Sequence, residues 1–219
     1  MRKVSFAEGE FYHVYNRGVD KRKVFLDRED FERFLQSMKE FNTPDPIGSI
    51  YENNFLKKSQ LGGSTSKRGS LVNFIAYCIN PNHYHFILQQ TAKNGIEKFM
   101  QRLGTGYTMY FNNKYQRSGA LFQGRFKAIH IDSNEYLLHL STYVNLNNRV
   151  HQLGGSASKL VYKSSWEEYI KRQGGLCAKK LILDQFKNIF EYKDFAESSL
   201  KDILRRKELG KEMEGLLLE

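Results

Sequence analysis

The stretch from residue 83 to residue 90 carries two histidines, His83 and His85, among aromatic and β-branched residues that are typical of a strand. Because side chains alternate faces along a strand, both imidazoles are expected on one face, within reach of one divalent ion. A sheet built around this strand would hold half of a metal site. The alternative is a strand whose histidines lie in a partly wet core or at the surface, and the pattern alone does not separate the two.

The segment from Asp132 to Val150 offers the other half of such a site. Asp132 is expected to cap a helix that runs to about Asn147, with Glu135 as the acceptor at the third helical position. Tyr143 and Asn147 are four residues apart on this helix and share a face. A tyrosine and an oxygen ligand beside two histidines suit phosphodiester chemistry, because the metal polarises a phosphoryl oxygen while the phenolate attacks phosphorus. The alternative is a core aromatic followed by a helix-ending asparagine.

The remaining pattern predicts an α+β fold. Strands are expected near residues 10–17, 71–79, 83–90 and 120–131, with helices near 28–42 and from about Asn94 to Asn113. The order β-α-β-β-α-β is that of ferredoxin-like and RRM-like domains with an antiparallel sheet. The helix expected to carry Tyr143, called the tyrosine helix below, follows the last strand of this order.

The length of 219 residues allows one domain with additions. We expect a catalytic domain over 1–150 with a long loop at 43–70, and a linker with a helical extension over 151–219. The apolar residues between 181 and 204 predict two or three short helices, and the charged end from 205 one more. A near-repeat, Leu-Gly-Gly-Ser-Thr/Ala-Ser-Lys at 61–67 and 153–159, is typical of flexible connectors, with phosphate-contacting loops as the alternative.

The charge balance favours a nucleic-acid partner. Lysine and arginine number 34 against 24 acidic residues, a net charge of +10, and aromatics make up 14% of the chain. Cations pair with phosphates, and aromatic rings stack on the bases of single strands. The candidate DNA-binding residues are Arg17, Lys21, Arg22, Lys23, Arg117, Arg125 and Lys127, and for each the alternative is a solvated surface charge.

Three separated motifs carry a family resemblance. They are the strand that carries His83 and His85, Gly-Ala-Leu-Phe-Gln-Gly-Arg-Phe-Lys at 119–127 and Tyr-Val-Asn-Leu-Asn at 143–147, and the opening Tyr-His-Val-Tyr-Asn-Arg-Gly at 12–18 adds to them. Together they resemble the single-tyrosine transposases of the HUH nuclease superfamily, in the REP-associated branch of the IS200-like transposases. The agreement runs in order over residues 10–150. The resemblance implies the same ferredoxin-like fold.

The resemblance also implies residue roles. His83, His85 and Asn147 would be ligands of a divalent metal, Mg²⁺ or Mn²⁺, with Mn²⁺ favoured by nitrogen ligands and Zn²⁺ also suited to imidazole. Tyr143 would attack hairpin-forming single-stranded DNA, such as palindromic element ends or REP-like sequences, to give a 5′-phosphotyrosine and a free 3′-hydroxyl. One departure weakens the third ligand: the family usually continues with proline, where this chain has Asn148. Family members work as monomers or as dimers, so a homodimer stays open.

Two other functions fit parts of the pattern. A non-catalytic RRM-like module would bind single strands on the same sheet without needing the tyrosine and the histidines together. An HUH replication-initiator-type nickase would share the metal and the tyrosine. The chain contains no Walker-type phosphate loop, and it has two cysteines without a C-x-x-C motif, which suits a reducing cytoplasm. No signal peptide or membrane span is predicted, so we expect a cytoplasmic, nucleoid-associated protein.

Overall fold

The structure is a computed structural model that describes residues 4–51, 69–151, 162–171 and 174–216, with side chains described as far as residue 208. The centre of the predicted 43–70 loop and both copies of the near-repeat lie outside the described residues. The strands are β1 (Phe11–Arg17), β2 (Val72–Asn80), β3 (His83–Gln90), β4 (Lys127–Ile131) and β5 (Lys163–Ser164). The α-helices are α1 (Arg28–Glu40), α2 (Gly95–Lys114), α3 (Asn134–Asn145), α4 (Asn147–Val150), α5 (Trp166–Ile170), α6 (Lys180–Leu183) and α7 (Ile189–Leu216), and a 3-10 turn spans Val19–Lys21.

The five strands form one antiparallel sheet in the order β4-β1-β3-β2-β5. The first four strands and the two helices α1 and α2 follow one another as β-α-β-β-α-β, which confirms the predicted ferredoxin-like α+β fold. β3 is central, between β1 and β2. The two histidines therefore lie in the middle of the sheet, where neighbours on both sides fix their positions.

The two faces of the sheet are covered by different helices. Tyr84 and Phe86 of β3 pack with Phe34 of α1 and Tyr107 of α2 in the larger core cluster. Ile87, on the opposite face, packs with residues of α3 and α7. Because of the alternation along β3, His83 and His85 share this second face with α3. The sequence thus places both imidazoles under the tyrosine helix.

The tyrosine helix begins one residue later than predicted. Ser133, and not Asp132, is the N-cap, because its Oγ accepts a hydrogen bond from the backbone N–H of Tyr136 at 3.2 Å. The helix also stops earlier: α3 ends at Asn145, and after Leu146 the short helix α4 begins at Asn147. The single helix predicted as far as Asn147 is therefore two consecutive helices.

Two further boundaries differ from the prediction. The strand expected near 120–131 is regular only over β4, and the chain before it forms an isolated bridge at Phe122 and a turn at Gly124, whose φ is +68°. The short helices predicted near the end of the chain are largely one helix, α7, of 28 residues. α7 packs along α3 and α4. None of the described helices combines the length and the apolar composition needed to cross a bilayer.

Candidate active site

β1, β3 and the α3–α4 junction enclose a cavity of about 310 Å³ on the second face of the sheet. The sheet register sets its floor, since Arg17 stands opposite His83 and Tyr15 opposite His85. The predicted nucleophile Tyr143 and both predicted histidine ligands line it. The lining residues are Tyr15, Asn16, Arg17, His83, His85, Gln123, Lys127, Tyr143 and His151. None of these described lining residues is acidic, so the cavity suits an anion.

Asn147 meets the first histidine despite the break in the helix. Its Oδ1 lies 3.1 Å from Nε2 of His83. Asn80, which stands opposite His83 in the β2–β3 pair, donates from Nδ2 to Asn147 Oδ1 at 2.7 Å and lies 2.9 Å from His83 Nε2. Nδ1 of His83 lies 2.6 Å from Oδ1 of Asn82. The contact to Asn82 is the shortest of the three, and an amide oxygen only accepts, so we assign the proton of neutral His83 to Nδ1; the unprotonated Nε2 then accepts from Nδ2 of Asn80.

This arrangement fits a divalent ion. A bare imidazole nitrogen and an amide oxygen 3.1 Å apart are two lone-pair donors side by side. Adjacent ligands of an octahedral ion with bonds of about 2.1 Å are separated by roughly 3 Å. No group of three or more His, Cys, Asp or Glu side chains in the described part of the chain is arranged to hold a metal. The predicted ligand set differs from such a group because its third member is the amide of Asn147. This side chain is completely buried.

The second histidine has a partner that the sequence did not reveal. Nδ1 of His85 lies 2.8 Å from Nε2 of His13, on β1. Burial lowers the pKa of His13 to about 4. Burial and the neighbouring imidazoles of His13, His83 and His151 hold the pKa of His85 well below its ordinary value. Both rings are therefore neutral at neutral pH, which is the form in which imidazole binds metals.

Tyr143 stands edge-on to the two rings. Its ring centroid is 5.7 Å from that of His85 and 6.4 Å from that of His13. Burial raises the pKa of Tyr143, while the nearby Asn147 amide works in the opposite direction. Nδ2 of Asn147 is buried and makes no hydrogen bond to the described residues. The tyrosine is thus a neutral phenol that needs nearby positive charge to react as an anion.

The predicted DNA-binding residues fall into three groups: some line cavities, some are held by neighbouring residues, and Lys21 and Lys23 are exposed. Arg17 and Lys127 line the histidine cavity, and Arg125 lines a larger cavity of about 710 Å³ between α2 and residues 120–126. Arg22 and Arg117 are held by their own surroundings. Arg22 bonds to Val19 and Asp20, and Arg117 bonds to Asn112 and Ala120 and covers the ring of Phe111. Lys21, in the 3-10 turn, is exposed.

Sequence reasoning missed four residues of this site: His13, Tyr15, Asn80 and His151. The ring of His151 lies 5.0 Å from that of His83, and burial, with His83 and Lys207, lowers its pKa to about 4. Its spacing of four residues from Asn147 was the available signal. For the β1 residues, the signal was the alternation that places His13, Tyr15 and Arg17 on one face.

The architecture is shared with a solved structure. A REP-associated tyrosine transposase bound to a REP hairpin matches with a TM-score of 0.52 and 12% identity, over 80% of this chain and 92% of that chain. At this identity the likeness concerns the fold, which is that of a tyrosine transposase. The tRNA(His) guanylyltransferase from Saccharomyces cerevisiae matches at 11% identity over 92% of this chain and 78% of that chain, with a TM-score of only 0.34. A search of curated proteins finds no significant match.

The sequence itself matches a family. Residues 64–147 fit the model of the family described as "Transposase IS200 like". The matched segment contains β2 to α3 and ends at Asn147, so it includes both histidines and Tyr143. Over this segment, 84 of the 219 residues, the chain is similar to the IS200-like transposases, which confirms the resemblance seen in its motifs.

Proposed function

We propose that this transposase cleaves and rejoins hairpin-forming single-stranded DNA through a covalent bond between Tyr143 and a 5′-phosphate. The observation that carries the proposal is the placement of Tyr143 edge-on to His85, at 5.7 Å between ring centroids, in the cavity that His83 also lines. A phenol beside a neutral imidazole pair suits nucleophilic attack on phosphorus better than it suits a binding surface alone.

Different residues of the cavity would bind different parts of the DNA substrate. Arg17 and Lys127 would pair with phosphates on either side of the bond that breaks, since both line the cavity and their partner residues in the sheet, His83 and Tyr15, lie on its floor. Tyr15 offers an aromatic face for a base. Arg125, in the neighbouring larger cavity, would contact the DNA further along.

The chemical step exchanges one ester for another. Oη of Tyr143 forms a bond to phosphorus and loses its proton to solvent. The bond from phosphorus to the 3′ oxygen breaks, and that oxygen takes up a proton to become a free hydroxyl. The reverse reaction with another 3′-hydroxyl rejoins the strand, and no nucleotide is consumed because the ester bond energy is retained.

A divalent ion would be held by His83, His85 and Asn147. When bound, Mg²⁺ or Mn²⁺ would supply Lewis-acid polarisation of a phosphoryl oxygen and charge stabilisation for the phenolate. The chain's own contribution is to hold both imidazoles neutral and the amide oxygen in place. Asn80 holds the amide oxygen of Asn147 in place, because its Nδ2 donates a hydrogen bond to that oxygen.

The hairpin substrate is inferred from two sources. The structural relative is bound to a REP hairpin, and the present chain shares its fold and carries a net charge of +10. A hairpin with a single-stranded flank offers both a duplex for surface cations and an unpaired strand for the cavity. The predicted division at residue 150 would then separate the catalytic unit from a helical extension.

The test is covalent capture. Labelled single-stranded hairpins with flanks from the native gene would be incubated with protein and Mn²⁺ or Mg²⁺, and then run on a denaturing gel and analysed by mass spectrometry. We expect a metal-dependent adduct on Tyr143 that is lost in Tyr143→Phe, while hairpin affinity stays within about twofold, because only one hydroxyl is removed. Tyr136→Phe, one tyrosine earlier on α3, is the matched control and should form the adduct. Tight hairpin binding with no adduct in any condition would favour a non-catalytic module.

A further inference from the structure

We propose that His13 is a positioning residue of this site, which accepts the Nδ1 proton of His85 and so fixes the tautomer whose Nε2 is available to a metal. The role toward the metal rests on the proposed function, whereas the hydrogen bond does not depend on it. His13 belongs to β1 and was not among the residues that the sequence pattern singled out as ligands.

The geometry requires one ring to donate to the other. Nε2 of His13 and Nδ1 of His85 are 2.8 Å apart, a hydrogen-bond distance, and each neutral imidazole has one N–H. The two nitrogens of a ring point in diverging directions. The contact at Nδ1 therefore leaves Nε2 as the nitrogen of His85 that can face another partner.

The sheet register places His13 on the far side of His85 from the first histidine. His13 stands opposite Ile87, whereas Arg17 stands opposite His83, so His85 lies between His13 and His83 along this face. Only 6% of His13 is exposed, and it is not among the residues that line the cavity. His13 thus lies behind His85, where it can orient the ring without meeting substrate.

The other histidine of the pair shows the same arrangement. Nδ1 of His83 lies 2.6 Å from Oδ1 of Asn82, an atom that only accepts, so Nδ1 donates and Nε2 of His83 is the unprotonated nitrogen that faces Asn80 and Asn147. Histidines that bind metals generally donate their other ring N–H to a fixed acceptor. His13 occupies the equivalent position for His85. The two strand histidines are then held in the same tautomer by two different neighbours.

A ligand role for His13 is disfavoured. Three histidines that share one metal would direct one nitrogen each at a common point, and no three His, Cys, Asp or Glu side chains of the described residues are arranged to hold a metal ion. Tyr15 also holds the pair from the side, since its ring centroid is 5.0 Å from that of His13 and 5.5 Å from that of His85. The stacked ring of Tyr15 restricts the tilt of the His85 ring, and the hydrogen bond with His13 fixes the direction in which Nδ1 of His85 points.

The first experiment reads the tautomer in the metal-free protein. Long-range ¹H–¹⁵N correlation of the imidazoles should show the proton of His85 on Nδ1 in the wild type. His13→Phe, which fills the space without an acceptor, should shift His85 toward the other tautomer or a mixture. His13→Gln, whose amide oxygen can reach the position of Nε2, should restore it. A wild-type His85 protonated on Nε2 would overturn the inference.

The second experiment measures Mn²⁺ affinity by calorimetry or paramagnetic resonance. We expect a loss of about 10–100-fold in His13→Phe and a return to within a few-fold in His13→Gln, the size seen when outer partners of metal ligands are removed. His130→Gln, at a half-exposed position of β4, is the control and should bind as the wild type does. Wild-type affinity in a folded His13→Phe would refute the positioning role. A wild type that binds no Mn²⁺ would refute the metal in the proposed function, while the tautomer measurement would still decide the hydrogen bond.

Discussion

Asn80 donates from Nδ2 to Oδ1 of Asn147 at 2.7 Å and thereby turns the oxygen of that amide toward His83. Both asparagines are completely buried, and they come from parts of the chain 67 residues apart. The third predicted ligand is therefore oriented by β2 and not by the helix that carries it.

Asn80→Ala should weaken the metal site without removing a ligand. Asn147 would lose the donor that fixes its amide, and we expect Mn²⁺ affinity to fall by about tenfold. The free energy of unfolding should also fall by about 1–3 kcal/mol, since a buried acceptor loses its partner. Asn73→Ala is the matched control: it lies on the same strand and bonds to Gln89 at 3.1 Å, away from the cavity. Equal Mn²⁺ affinity in the two variants would contradict the role of Asn80.

We expect a cluster of one lysine and three carboxylates, away from the cavity, to govern the stability of the protein in acid. Lys114, at the end of α2, lies 2.8 Å from Asp27, 2.9 Å from Glu29 and 3.1 Å from Asp30 at the start of α1. Asp30 is completely buried, and it closes the capping box with Asp27. Burial works to raise the pKa of Asp27, but hydrogen bonds from Lys114, from the Asp30 backbone and from Tyr115 outweigh it, so the pKa is below its ordinary value.

Lys114→Met should destabilise the fold by about 2 kcal/mol at neutral pH, the size of a hydrogen bond to a charged group. A carboxyl whose pKa is depressed on folding contributes stability above its unfolded pKa and loses it as pH falls through the folded one. The difference between wild type and variant should therefore shrink below about pH 4. Urea unfolding at several pH values measures this. Arg28→Met, which removes an exposed pair with Glu32, should cost no more than about 0.5 kcal/mol.

Tyr192→Phe tests the contact between α7 and the tyrosine helix. The buried hydroxyl of Tyr192 accepts from Nδ2 of Asn145 at 2.9 Å, and Oδ1 of Asn145 accepts from Ser165 at 2.5 Å. Removing the hydroxyl leaves a buried amide N–H unpaired, so unfolding should become easier by about 1–3 kcal/mol. Tyr51→Phe, at a residue that is 80% exposed, should change stability by less than about 0.5 kcal/mol. Wild-type stability in Tyr192→Phe would mean that α7 does not support this helix through Asn145.

The arginines and lysines should separate by their salt dependence. Arg17→Ala and Lys127→Ala should each reduce the log–log slope of hairpin affinity against salt by about 0.7, the value for one phosphate contact on a single strand. Arg117→Ala should leave the slope unchanged and lower the melting temperature instead, because its guanidinium bonds to Asn112 and Ala120. Fluorescence anisotropy at several salt concentrations distinguishes the two results. A changed slope in Arg117→Ala would return that residue to the DNA-binding set.

The periodicity of single strands and helices predicted those features of the site that lie within one element. The shared face of His83 and His85 follows from the two-residue repeat of a strand, and the pairing of Tyr143 with Asn147 follows from helical spacing. His13 depends on the register between β1 and β3, whose paired residues are far apart in the chain, and no local pattern sets that register. The position of His13 behind His85 is therefore a property of the folded sheet.

The errors at helix boundaries have local causes. Asp132 and Ser133 are both good caps, and the hydrogen bond to Tyr136 decides for the serine. In the region of α7, the apolar residues up to position 204 suggested short helices and the charged end from 205 one more. The buried positions Tyr192, Ala196 and Leu200 are four residues apart, so they form one narrow stripe on a continuous helix.

The short strand β5 covers part of the outer edge of β2. It pairs with only Cys78 and Ile79 of β2, and Cys177 bridges to Phe74 further along the same strand. Apart from Asn73, every residue of β2 is buried, so its uncovered edge would be an apolar template for other chains. A protein shortened at residue 150 would keep His83, His85 and Tyr143, but it would lose His151 and expose that edge. Its aggregation, and not the loss of its chemistry, would limit the use of such a fragment.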